Sequence, residues 1–129
     1  MNDGQLADDR GVSKDTPTLE PPMNISMHAQ GLPLTNRLRD FVHVRLKLAL
    51  GPLADRIRTV HVGLSDVNGP KGGEDVRCKI QATLSPYGRV LIQEQSPNPF
   101  TAVAQASRRA GHSLARRLDR LRTHRRRER

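Results

Sequence analysis

The stretch VRCKIQATL (76–84), followed by SPYG (85–88) and RVLIQ (89–93), decides the fold. Val76, Cys78, Ile80, Ala82 and Leu84 alternate with Arg77, Lys79, Gln81 and Thr83. A period of two puts one apolar and one polar face on an extended strand. SPYG supplies turn residues, so Arg89–Gln93 is expected to return as the partner strand of a hairpin. Upstream, Arg58–Ser65 repeats the alternation, with Val60, Val62 and Leu64 set against Thr59, His61 and Gly63. The glycine-rich NGPKGGED (68–75) joins these two strands. Further back, MNISMHAQG (23–31) alternates Met23, Ile25, Met27 and Ala29 with Asn24, Ser26 and His28. One apolar and one polar face is the pattern of an antiparallel sheet covered on one side.

The cover comes from two segments with helical spacing. After Leu32-Pro33, Thr35 is a good N-cap for a helix over 36–50 whose apolar stripe is Leu38, Phe41, Val42, Leu46 and Ala49. Arg39, Asp40, His43 and Lys47 lie on its other side. Arg45 falls near the middle of the stripe and is expected to snorkel past the core edge. Gly51-Pro52 ends the helix. A second, longer helix starts at Pro99 with Asn98 as its N-cap. Its inner stripe is Phe100, Val103, Ala104, Ser107, Gly111, Leu114, Leu118 and Leu121. The stripe stops near Thr123, which predicts a basic tail over 123–129. The expected fold is α+β, ordered β-α-β-β-β-α, with two helices on one face of a four-stranded sheet.

Charge is distributed unevenly along the chain. Residues 1–22 hold five acids and two bases and end in Pro21-Pro22, the composition of a disordered acidic leader. The domain proper then spans 23–122, and Met23 could be an alternative translation start. Residues 108–129 hold ten arginines against Asp119 and Glu128, most of the formal +9 of the whole chain. Arg109, Arg116 and Arg120 lie within about 40° of one another on a helical wheel, opposite the inner stripe, with Arg108 and Arg117 flanking them. Guanidinium forks suit phosphate oxygens, so the pattern favours a polyanionic partner over a merely solvated surface. No apolar run is long enough to cross a bilayer and no secretory signal opens the chain, so a cytoplasmic protein is expected.

Other chemistries find little support. His28, His43, His61, His112 and His124 show no ligand spacing and Cys78 stands alone, so neither a metal nor another cofactor is expected. Cys78 has the parity of a buried strand residue. NGPKGGED joins two strands and lacks the phosphate-loop pattern. No nucleophile–base or paired-carboxylate set can be placed, and the chain reads as a non-enzyme. Arg77, Lys79 and Arg89 decorate the polar side of the sheet, as a solvated face or as a further contact.

Taken in order, MNISMHAQG, the helix LTNRLRDFVHVRLKL, VHVGLS, the SPYG turn and the helix start PFTAVAQA followed by a basic helix resemble the ribosome hibernation-promoting factor and ribosome-associated inhibitor family. The resemblance covers about residues 23–122. It implies a fold similar to double-stranded-RNA-binding domains, and a stress-response protein that binds small-subunit rRNA, in the free subunit or the whole ribosome, and occludes the mRNA and tRNA sites. By matching position, Arg39, Arg45, Arg109, His112 and Arg116 correspond to rRNA-facing residues, and Arg120 stands where several members carry lysine. With Lys47, Arg108 and Arg117 these form the expected RNA-binding set. The family's acidic pair before the helix aromatic is replaced by SPNP (96–99), and the acidic leader has no counterpart. Longer members add a dimerising domain, so a monomeric short form is expected. Two alternatives stand beside this: a general structured-RNA-binding module, which the scarcity of aromatics argues against for single strands, and a protein-interaction regulator of transcription.

Overall fold

The computed structural model describes residues 24–67, 75–85 and 88–127, with side chains described as far as Arg122. The acidic leader, Met23, the glycine-rich loop 68–74, Pro86-Tyr87 and the side chains from Thr123 onward lie outside the described residues. The elements are β1 (Asn24–Gln30), α1 (Asn36–Leu50), a 3-10 helix (Gly51–Arg56), β2 (Ile57–Asp66), β3 (Val76–Leu84), β4 (Arg89–Ser96) and α2 (Pro99–Arg127). The β-α-β-β-β-α order and the two-layer arrangement are those expected from the sequence.

The sheet order is β1-β2-β3-β4. β2–β3 and β3–β4 pair antiparallel, but β1 pairs parallel with β2, so the sheet is mixed rather than purely antiparallel. The reason is connectivity. β1 returns to the sheet only after the α1 crossover, and a crossover of that length delivers the next strand in the same direction. The strand alternation survives this: Val60, Val62 and Leu64 of β2 and all five apolar residues of β3 are buried. β4 runs on to Ser96, three residues beyond the expected Gln93. Leu84 N–H donates to Gly88 O at 2.8 Å, and Gly88 adopts φ +111°, where a side chain would be strained.

The helix caps form as expected. Leu38 N–H donates to Thr35 Oγ1 at 3.1 Å, and Phe100 N–H donates to Asn98 Oδ1 at 2.8 Å. On α1, Leu38, Val42, Leu46 and Leu50 turn inward at intervals of four. On α2, Val103, Ser107, Gly111, Leu114 and Leu118 are buried, and so is a row absent from the expected stripe, Ala102, Ala106 and Ala110. Alanine is too weak an apolar signal to define a face, yet this row gives α2 a small-residue surface within the core. Phe100, Ala104 and Leu121 are only half-buried. The backbone of α2 continues to Arg127, so most of the segment read as a tail extends the helix.

Where α1 crosses α2 the backbones nearly touch. A Cβ added at Gly111 would stand 2.8 Å from the Ala49 carbonyl oxygen. Gly111 costs about 1 kcal/mol of helix propensity, and the close approach is what that cost permits. Nearer the N-terminal ends of the two helices, Phe41 and Phe100 meet edge-to-face with ring centroids 5.1 Å apart.

Candidate nucleic-acid interface

The outer side of α2 carries the cations. Arg108, Arg109, His112, Arg116 and Arg120 are all exposed, because the core-facing arc of the helix is taken by the alanine row and by Val103, Leu114 and Leu118. From Arg109 to Arg120 the ridge is about 17 Å long. Asp119 also lies on this exposed side, 3.8 Å from Arg122. A rigid helix thus holds several guanidinium groups in fixed spacing, as a surface that meets phosphates requires.

Two members of the expected set are already engaged. Arg109 forms an ion pair with Glu94 of β4 and also reaches the Gln93 carbonyl at 3.4 Å. Glu94 has the inward parity of Ile92 and Ser96, and Arg109 brings a compensating charge to this carboxylate at the sheet edge. Arg117 is half-buried over the β3–β4 turn, its NH1 3.3 Å from the Arg89 carbonyl oxygen. Arg117 therefore braces the hairpin as well as adding charge.

On α1 the expected cations do not share a face. Arg39 and Arg45 are six residues apart, which separates them by about 120° around the helix. Arg39 and Lys47 are exposed. Arg45 points to the seam with α2, its guanidinium carbon 6.0 Å from the Phe41 ring centroid. It is half-buried rather than snorkelling clear, and its Nε is buried without a hydrogen-bond partner among the described residues. Arg37, absent from the expected set, lies over Phe100 at 5.4 Å. The aromatic pair is thus flanked by two guanidinium groups, an arrangement the helical period could not reveal because it depends on how the helices cross.

The other face of the sheet has no helix on it. Cross-strand rows run Ser26–His61–Gln81–Leu91, His28–Gly63–Lys79–Gln93 and Gln30–Ser65–Arg77–Gln95. Cys78 faces the opposite way, into the core, where burial and the nearby Glu94 charge push its thiol up to about 12. That thiol is a packing group, not a nucleophile.

No protein-family model matches the sequence, and no curated protein matches it significantly. Solved structures do match. The crystal structure of the Thermus thermophilus Protein Y N-terminal domain superposes with a TM-score of 0.61 at 25% identity, over 73% of this chain and 98% of that one. A ribosomal subunit interface protein from Coxiella burnetii superposes with a TM-score of 0.61 at 14% identity, over 75% of this chain and 97% of that one. The resemblance read from the sequence is thereby met in structure: the chain has the fold of the Protein Y N-terminal domain and of the ribosomal subunit interface protein over about three quarters of its length.

Proposed function

We propose that this protein is a ribosome-associated translation inhibitor that binds small-subunit rRNA and occupies the mRNA and tRNA paths under stress. The observation that carries the reading is the ridge of exposed cations on α2, borne on a scaffold shared with a ribosomal subunit interface protein. Duplex RNA presents phosphates and 2′-hydroxyls to a folded surface, while its deep groove excludes side chains. Recognition by position rather than by base sequence therefore suits a protein that must sit in one place and block it. Arg108, Arg116 and Arg120 on α2, with Arg39 and Lys47 on α1, are the five exposed cations of the expected set that have no side-chain partner to break among the described residues. If all five meet phosphates, log K should fall with log salt at a slope of about −4. His112 lies on the same ridge, where its ring N–H can donate to a phosphate oxygen. Arg45 and Arg109 take part only if contact rearranges their present partners.

The test is order-of-addition in a purified translation system. Small subunits already loaded with mRNA and initiator tRNA should resist the protein, whereas empty subunits should be silenced by it. Equal inhibition of both would contradict occlusion, and inhibition unchanged in Arg116→Glu/Arg120→Glu would contradict the ridge.

A further inference from the structure

The helix-free face of the sheet contains an open pocket of about 360 Å³, on the side of the molecule away from the α2 ridge. Its floor is Gly63, the one position of the central strand β2 that lacks a side chain on this face among the described residues. The missing side chain leaves a dip between the cross-strand neighbours His28 and Lys79. The His28 ring leans into that space, since a Cβ at Gly63 would meet it at 3.2 Å, so the imidazole forms one wall of the pocket. His61 and Ser65, two residues to either side on β2, close the dip along the strand, and Arg77 and Gln81 flank Lys79 on β3. Ser26 Oγ is hydrogen-bonded to His61 Nδ1, which orients that ring.

The chemistry of this lining is one-sided. Arg77 and Lys79 are fixed cations, while His28, His61, Ser65 and Gln81 can all present N–H or O–H donors. Among the described residues the strands themselves place no carboxylate on this face, since Glu94 and Asp66 have inward parity; Asp75, just before β3, does share the face and is engaged by Gln95 at 3.3 Å. We propose that this pocket binds a small phosphomonoester, its dianionic phosphate held between Lys79 and Arg77. Two cations match two charges, and several neutral donors remain for the phosphate oxygens. The volume exceeds that of a phosphate and leaves room for a sugar-sized remainder. The lining contains no aromatic ring other than the two imidazoles, so no base-stacking platform is provided. The site does not depend on the ribosome reading, because none of its residues lies on the ridge.

The experiment is amide-resolved NMR titration of the full chain with ribose 5-phosphate, with inorganic phosphate, and with a short RNA lacking terminal phosphates. Ribose 5-phosphate should shift the Gly63, Ser65 and Lys79 amides saturably, and the RNA should not compete with it there. Arg77→Gln/Lys79→Gln, at two exposed positions, should weaken binding about tenfold or more with an unchanged urea midpoint, while Arg116→Glu should leave it unaltered. Shifts confined to α2, equal binding by the double variant, or pocket shifts with the RNA alone would each overturn the proposal.

Discussion

Replacing Gly111 by alanine sets two effects of opposite sign against each other. In an exposed helix the change would stabilise by about 1 kcal/mol, because glycine is the poorer helix former. Here the new methyl would stand 2.8 Å from the Ala49 carbonyl oxygen, where ordinary contact begins at 3.4 Å. The obstacle is backbone inside α1, so no rotamer change can clear it. The seam between the helices must open by about 0.6 Å, the difference between those two distances. Because only backbone can yield, the overpacking cost falls in the upper part of its usual range, about 2–3 kcal/mol, and outweighs the propensity gain, for a net loss of about 1–2 kcal/mol. The assay is urea unfolding, in which the midpoint should fall by about 1 M for a small domain. Gly51→Ala is the internal control: its backbone is helical at φ −52°, and an added Cβ meets nothing within 4 Å. That variant should be neutral or more stable by up to about 1 kcal/mol. A Gly111→Ala protein as stable as the parent, or more so, would refute the close-approach argument.

Two further outcomes follow from buried groups. Arg45→Met removes a buried, unpartnered Nε while keeping the packing length of the side chain, and should raise the urea-unfolding free energy by about 1 kcal/mol; a loss of stability would show that the guanidinium is satisfied after all. Cys78 is raised from 9.0 to about 12 by burial, so the unfolded chain releases the thiol proton first. Its contribution to stability is complete below pH 9 and is lost as pH climbs toward 12, by at most about 1.4 kcal/mol per pH unit. The parent should therefore lose stability with alkaline pH more steeply than Cys78→Ala, and thiol labelling should await unfolding; parallel curves would contradict the burial argument.

What the sequence disclosed follows from which signals are local. The strands of VRCKIQATL and its neighbours, and the caps at Thr35 and Asn98, depend on periods and on side chains a few residues apart, and each appears where expected. The direction of β1 is not local. The alternation of MNISMHAQG is the same in a parallel or an antiparallel pair, and only the α1 crossover decides between them. The 3-10 helix Gly51–Arg56 was equally invisible, since Gly51-Pro52 is a good stop signal and a good start for a tight turn. The candidate interface divides in the same way. That Arg116 and Arg120 face outward follows from the wheel, but the Arg109–Glu94 pair and the burial of Arg117 depend on where β4 runs beside α2. Gly111 is a poor helix former inside α2, and only the position of Ala49 explains it.

The central claim is that the cationic ridge of α2 seats this protein at one place on the small subunit. Co-sedimentation with small subunits and with intact ribosomes across a salt series, beside excess free duplex RNA, tests it most directly. The account predicts saturable binding near one protein per subunit, a log–log salt slope of about −4, and loss of binding in Arg116→Glu/Arg120→Glu. Binding that never saturates, or that free duplex RNA removes as readily as subunits restore it, would contradict a defined ribosomal seat.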